Sequence, residues 1–163
     1  MQNRITGEKN EFKKHIGYIE NGINIDHIPH GNAWYVMKIL NLFNSSYQVG
    51  VGLNLSSRKL GTKDLIKIEN RMLTTDEIDA ISLFCVGGTL SVMKDFTVIS
   101  KQTLTLPKQV NAIIVCPNKR CVSHQHISKF IPAINRKNLL EIFCYYCEQQ
   151  FLLSQVKEYK FDC

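Results

Sequence analysis

The chain has 163 residues, of which 44% are hydrophobic and 21% are charged. This composition is typical of a globular protein and excludes disorder over most of the sequence. No apolar run approaches the roughly 20 residues that span a bilayer, and the polar start lacks the apolar stretch of a signal peptide. We therefore expect a soluble, cytoplasmic protein with no membrane partner.

The charge is positive but does not indicate a particular partner. Twenty Lys and Arg against fourteen Asp and Glu give a formal net charge of +6. Only five of the cations are Arg, the residue that leads direct readout of bases. The Lys residues are scattered along the chain, so we expect no nucleic-acid partner.

The first half of the chain alternates between strand and helix patterns. Residues 16–28 predict a strand, or a hairpin that turns at Asn21-Gly22. A helical stripe of Val36, Ile39, Leu40 and Phe43 follows over residues 32–43, with Asn32 as a plausible N-cap. Alternating residues then predict strands over 47–55 and 63–69.

A second helix and two further strands complete this unit. Thr74 and Glu77 form a capping box, and Gly87-Gly88 end the helix. Short apolar segments over 89–93 and 96–99 predict the last two strands. The order predicts an α+β fold, a ferredoxin-like α/β sandwich with an antiparallel sheet and two helices on one face.

A second, smaller unit is expected after a linker. Residues 100–109 contain Pro107 and little periodicity, so we place the domains at 1–106 and 107–163. Residues 113–115 predict a strand that leads into a small, β-rich unit. A unit of about 55 residues buries too little apolar surface to be secure alone, which favours a stabilising metal.

The cysteine pattern predicts where that metal binds. Cys116 and Cys121 form one short-spaced pair, and Cys144 and Cys147 form a second pair after 22 intervening residues. Two such pairs are typical of a structural Zn²⁺ site, one ion per chain, whose four thiolates leave no open position for chemistry. Disulfides and a rubredoxin-like iron site are the alternatives. Cys85 follows an apolar helix and reads as a small buried hydrophobe.

Three lysines in the first unit suggest an anion site. Lys63 and Lys67 lie on one predicted strand face, and Lys101 follows the last strand; with Asp26 and His27 they would suit a triphosphate nucleotide. A solvated strand face is the alternative. We find no catalytic constellation, and adjacent residues such as Asp26 and His27 point to opposite faces of a regular strand, so binding fits better than catalysis.

Several segments together resemble one family, the regulatory chain of aspartate carbamoyltransferase. The segments are Ile25-Asp26-His27-Ile28-Pro29, Val51-Gly52-Leu53-Asn54-Leu55, Lys63-Asp64-Leu65-Ile66-Lys67-Ile68-Glu69-Asn70, and Val115-Cys116-Pro117-Asn118 with Cys121, His124, Cys144 and Cys147. They occur in the family's order and approximate spacing, and the resemblance runs from about residue 16 to the end.

The resemblance implies a non-catalytic subunit. Chains of this family form a homodimer through the N-terminal domain and dock on catalytic chains through the zinc domain, within a heterododecamer of catalytic trimers and regulatory dimers. ATP and CTP compete for one site on the N-terminal domain. Carried over residue by residue, that site would use Asp26, His27, Lys63, Lys67, Lys101, Ile19, Phe96 and Val98, and the interface would use Asn118 and Glu148.

The sequence departs from the family at a few of these positions. Gly17 and Tyr18 stand where an acidic and a small residue are common, Ser91 stands for Asn, and Phe96 for Tyr; Arg120 precedes Cys121 where Asn is usual. Two other classes remain alternatives. One is a nucleic-acid-binding zinc-ribbon protein, and the other is a free-standing nucleotide-binding enzyme.

Overall fold

A computed structural model describes residues 17–160 as two antiparallel sheets with two helices. The first sheet has the strand order β2-β3-β1-β4-β5 and the second has the order β6-β7-β8-β9. The strands are β1 (Gly22–Pro29), β2 (Val49–Ser57), β3 (Gly61–Glu69), β4 (Thr89–Lys94), β5 (Thr97–Thr103), β6 (Val110–Asn111), β7 (Lys129–Ile134), β8 (Leu140–Cys144) and β9 (Gln150–Leu152). The helices are α1 (Ala33–Ile39) and α2 (Thr75–Ser82), and single 3-10 turns span Leu42–Asn44, Val122–His124 and Leu153–Gln155.

The first five-stranded sheet has one apolar face. Ile23 pairs with Ile68, and Ile25 pairs with both Ile66 and Leu90. All five side chains are buried and pack in one core with the apolar residues of α1 and α2. Because side chains alternate along a strand, the residues between these positions point to the other face of the sheet. The predicted α+β sandwich with both helices on one face is confirmed.

The predicted hairpin over residues 16–28 is wrong within the described residues. Residues 17–21 form no strand, and residue 16 lies outside the described part of the chain. Gly22 has φ +137, and a Cβ there would collide with the carbonyl oxygen of Ile68. Gly22 therefore begins a strand pressed directly against β3, and β1 pairs with β3 and β4 instead of with a preceding strand.

The first helix is shorter than predicted. It ends at Ile39, and Asn41 adopts a left-handed φ of 48 before the 3-10 turn. The side chain of Asn32 does not cap the helix; its Nδ2 donates to the carbonyl of Phe84 at 2.7 Å. Val36 and Leu40 are buried as the stripe predicts, but Phe43 is exposed because the turn at Asn41 takes it off the helical face.

The expected linker and the strand after it also differ. The edge strand β5 runs to Thr103, so it occupies the beginning of the segment predicted as a linker. All seven of its residues are exposed, which explains why it lacks the apolar alternation of a half-buried strand. Residues 113–115 form only an isolated bridge between Ile114 and Tyr159, and the strand of this region is β6.

The two sheets share a continuous core through a cluster of three aromatic rings. Tyr35 of α1 stacks on Phe84 with ring centroids 4.5 Å apart. Tyr159, which follows the second sheet, meets both rings edge-on at 5.6 Å. Between residues 17 and 160, no helix has the length and apolarity required to cross a membrane.

Candidate functional site

The four predicted cysteine ligands come together at one end of the second sheet. The Sγ atoms of Cys116 and Cys147 are 3.7 Å apart, as are those of Cys121 and Cys144. All four sulfurs lie within 4.8 Å of one another. A tetrahedral ion with metal–sulfur bonds of about 2.3 Å requires sulfurs about 3.8 Å apart, so the cluster fits such an ion.

Burial disfavours an uncompensated negative charge on two of these thiols. Burial raises the pKa of Cys116 and also that of Cys144. Burial acts in the same direction on Cys121 and is the largest single influence, but hydrogen bonds with Ser123, Cys144 and Cys147 together outweigh it and lower the pKa of Cys121 to about 7. A metal ion replaces the protons on such a cluster, and four protein ligands leave no coordination position for a substrate. The arrangement can therefore stabilise the fold around a bound ion, and it leaves no position at which the metal could act on a substrate.

Local turns position the two cysteine pairs. The side chain of Asn118 accepts from the amide of Arg120 at 3.1 Å, and its carbonyl accepts from the amide of Cys121 at 3.0 Å. Glu148 adopts a left-handed φ of 58 and donates its amide to the carbonyl of Cys144 at 2.9 Å. Asn118 and Glu148, the predicted interface residues, therefore lie in the turns that present the sulfurs. Glu148 is exposed and Asn118 is half-buried.

A polar row crosses the open face of the first sheet. Asn24 pairs with Lys67 on one side and with Ser91 on the other, and Ser91 pairs with Lys101. Directly paired residues share a face, and this face is opposite to the one that carries Ile23 and the rest of the apolar core. Lys67 and Lys101 are separated by three strand spacings, or roughly 14 Å.

Asn24 is a member of this row that sequence reasoning missed. Its Oδ1 is buried and has no hydrogen-bond partner among the described residues. The available signal was its position between Ile23 and Ile25, which places it on the face opposite to the core. Because an unpaired buried carbonyl oxygen is costly, this atom is a candidate acceptor for a ligand donor.

Asp26, His27 and Lys63 come together at one end of the open face. Lys63 Nζ lies 2.5 Å from Asp26 Oδ1, and Lys63 is buried, so it does not belong to a solvated face. The expectation that Asp26 and His27 point to opposite faces is wrong. A bulge lies between Ile25 and Ile28, His27 has φ 58, and its Nδ1 lies 3.5 Å from Asp26 Oδ2.

A buried carboxylate binds backbone amides just after β1 and in the bulge of β2. Asp64 is 1% exposed, and its two oxygens accept from the amides of Gly31 at 2.8 Å and Asn54 at 3.0 Å. Asn54 has φ 56 and lies in the register shift of β2 against β3. Asp64 therefore stabilises backbone segments beside the candidate site. Its side chain lies on the core side of β3, as the alternation of that strand predicts.

The remaining candidates lie at the opposite end of the open face. The β4–β5 turn has Asp95 at φ 47 and Phe96 at φ 59, both left-handed as a type I′ hairpin requires. The amide of Phe96 donates to Glu20 at 3.0 Å, which attaches the turn to the segment before β1. Phe96 and Val98 are exposed, whereas Ile19 is buried.

Lys67 connects the two ends of the face. Its Nζ donates to the carbonyl of Gly17 at 2.6 Å. Burial lowers the pKa of Lys67, and the negative charge of Asp26 opposes that shift. Lys63 and Lys67 are four residues apart on one strand, or about 13 Å. The three lysines thus border an open polar surface.

Comparison with known proteins decides the family. The allosteric-domain model of the aspartate carbamoyltransferase regulatory chain matches residues 14–105, and the metal-binding-domain model matches residues 108–157. The chain belongs to this family. The regulatory chain of Tolumonas auensis is 37% identical over 139 residues, covering 85% of this chain and 90% of the relative. That of Aeromonas salmonicida is 35% identical over 152 residues, covering 93% and 97%.

The match confirms the predicted resemblance and the role that goes with it. This regulatory chain is a non-catalytic subunit with an allosteric domain and a metal-binding domain. The regulatory chain of Shigella dysenteriae is also similar, at 34% identity over 140 residues. The four-cysteine cluster lies within the segment that matches the metal-binding domain, and the polar open face lies within the segment that matches the allosteric domain.

Proposed function

We propose that this regulatory chain binds ATP and CTP on the open face of its first sheet and transmits their presence to catalytic chains of aspartate carbamoyltransferase. The supporting observation is the row of Lys67, Asn24, Ser91 and Lys101, with the Asp26–Lys63 pair beside it. The division at residues 106 and 107 separates the nucleotide-binding part from the docking part.

The charges of the face suit a triphosphate. Ammonium groups bind phosphate oxygens through charge-assisted hydrogen bonds, which are the stronger class. Lys101 is exposed, while Lys63 is held 2.5 Å from Asp26 and its charge is oriented before a ligand arrives. The bulge carries His27 to the same end. Phe96 and Val98 at the other end offer apolar surface to a base, and the backbone at Ile19 would frame it.

We also propose that the ion held by the cysteines is Zn²⁺, one per chain. Cys116, Cys121, Cys144 and Cys147 would hold it. A four-thiolate zinc ion stabilises the fold of a small unit and takes no part in catalysis. Iron fits the same sulfur geometry, so elemental analysis of purified protein decides between the two metals.

The metal-binding end is the proposed contact with catalytic chains. Asn118 and Glu148 lie in the turns that carry the sulfurs, so loss of the metal would disorder them together. The regulatory chain would act as a homodimer within a heterododecamer, at a distance from the reaction. A nucleotide shifts such an assembly only if it binds the two states with different free energies.

Removing Lys101 tests the nucleotide site. We expect Lys101→Ala to weaken ATP and CTP together by about 1–3 kcal/mol, because both carry the same triphosphate. Lys94→Ala is the matched control, since Lys94 is also exposed but lies on β4 with the opposite alternation to Ser91. Isothermal titration calorimetry on the full chain measures both.

Equal binding by the wild type and Lys101→Ala would exclude Lys101 from the site. Binding of neither nucleotide by the wild type would reject the nucleotide proposal itself. Aspartate saturation curves of the reconstituted complex, recorded with ATP and with CTP, then test regulation. Identical curves with and without each nucleotide would contradict it.

A further inference from the structure

Tyr18 is an exposed aromatic residue beside the polar row, and no role follows for it from the fold. Its side chain is 75% exposed, the highest exposure among the large hydrophobic side chains of residues 17–160. The next residue, Ile19, is buried and anchors the segment. Tyr18 therefore projects outward from a fixed point of the backbone.

The backbone beside Tyr18 is attached to the candidate site. Lys67 Nζ donates to the carbonyl of Gly17 at 2.6 Å and lies 6.0 Å from the centre of the Tyr18 ring. Glu20 accepts from the amide of Phe96 at 3.0 Å. Hydrogen bonds on both sides of Tyr18 thus hold it at the end of the face where Phe96 is also exposed.

An exposed ring in this position has a physical use. Aromatic side chains bind nucleobases by stacking, because every base has a flat π face. The contact is larger for the two fused rings of a purine than for the single ring of a pyrimidine, because more apolar area is covered. The charged row cannot make this distinction, since ATP and CTP present the same triphosphate to it.

We propose that Tyr18 stacks on the base of the bound nucleotide and favours a purine over a pyrimidine. This inference rests on the proposed nucleotide site and adds the residue that discriminates between its two ligands. Tyr18 covers the base, while Lys67 beside it and Lys101 across the sheet bind the polar part of the same molecule.

The test compares three ligands on the full chain by calorimetry: ATP, CTP and inorganic tripolyphosphate, which has no base. We expect Tyr18→Ala to weaken ATP about tenfold, within the range of measured stacking contacts. CTP should weaken by a smaller factor, and tripolyphosphate should bind within twofold of the wild type. Tyr18→Phe keeps the ring and should keep the ratio of ATP to CTP affinity.

Tyr145→Ala is the control, because it removes another exposed tyrosine, in the turn after β8 and away from the first sheet. A Tyr18→Ala chain that binds ATP as the wild type does would overturn the inference and leave the nucleotide site intact. Equal weakening of ATP and CTP would also overturn it, because that result would mean that Tyr18 acts by positioning Lys67 and does not distinguish the two bases. A wild-type chain that binds neither nucleotide would overturn both proposals.

Discussion

Single cysteines in this chain differ in chemistry because their surroundings differ. Cys85 is fully buried within the first unit, and burial raises its pKa to about 12, so it stays a protonated thiol at neutral pH. Cys144 is equally buried but has the sulfur of Cys121 3.7 Å away. One residue type thus serves as packing in the first unit and as a candidate metal ligand in the second.

This difference predicts the effect of removing each sulfur. We expect Cys144→Ser to lower the bound metal from about one ion per chain to nearly none and to unfold the second sheet, because metal binding and folding are coupled in such units. Cys85→Ala should retain the metal. Elemental analysis with circular dichroism measures both effects. Full metal content in Cys144→Ser would contradict the four-sulfur site.

The candidate site was predictable residue by residue only in part. The cysteine spacing identifies four sulfurs that the fold brings together, because each pair is local. Asp26 and His27 were predicted on opposite faces, since nothing in the sequence requires a non-glycine residue such as His27 to adopt a φ of 58. The bulge that carries His27 lies in the pairing of β1 with β3, two strands that are distant along the chain, so no local pattern encodes it.

At the scale of elements, the sequence predicts a regular, half-buried or capped element correctly, but it misplaces the bounds of an exposed strand and of an interrupted helix. The capping box of α2 forms as predicted, with Glu77 donating its amide to Thr74 Oγ1 at 3.2 Å and accepting the Thr74 amide at 2.9 Å. The strand β5 was partly read as a linker because an exposed edge strand carries no apolar alternation. The end of α1 was misplaced because Asn41 turns the chain where the apolar stripe continues.

The capping box predicts a measurable stability effect. Thr74→Ala should lower the free energy of unfolding by about 1 kcal/mol, because the amide of Glu77 loses its acceptor. Thr75→Ala is the control, since Thr75 is the first residue of α2 and alanine is a good helix former. Urea unfolding of the metal-loaded chain measures both. An unchanged midpoint for Thr74→Ala would show that the cap does not contribute.

At the scale of the whole molecule, the two sheets are joined through Tyr35, Phe84 and Tyr159. Tyr159 lies beyond the second sheet, where its strand-like pairing with Ile114 fixes it. Burial raises its pKa to about 12, so its hydroxyl remains neutral at physiological pH. The contact is therefore between apolar ring surfaces, and its strength does not depend on pH near neutrality.

This junction predicts an energetic coupling between the two units. A double-mutant cycle of Phe84→Leu and Tyr159→Leu should give a coupling of about 0.5–1.5 kcal/mol, the range for aromatic pairs beyond their buried area. Urea unfolding supplies the four free energies. Tyr145→Leu paired with Phe84→Leu is the control and should give no coupling. A value near zero for the first pair would mean that the rings do not join the units energetically.

The first sheet has different neighbours on its two sides. Its polar side carries Asn24, and its apolar side carries Ile25, the next residue. Ile25 packs in the same core as the helices, and this core continues to Tyr35 and Phe84, which contact Tyr159. No single side chain of β1 reaches both sides. A ligand bound on the polar side can therefore influence the helices and the second sheet through bending or stiffening of the backbone of β1 and its neighbours, and not through a side chain of β1 that spans both sides.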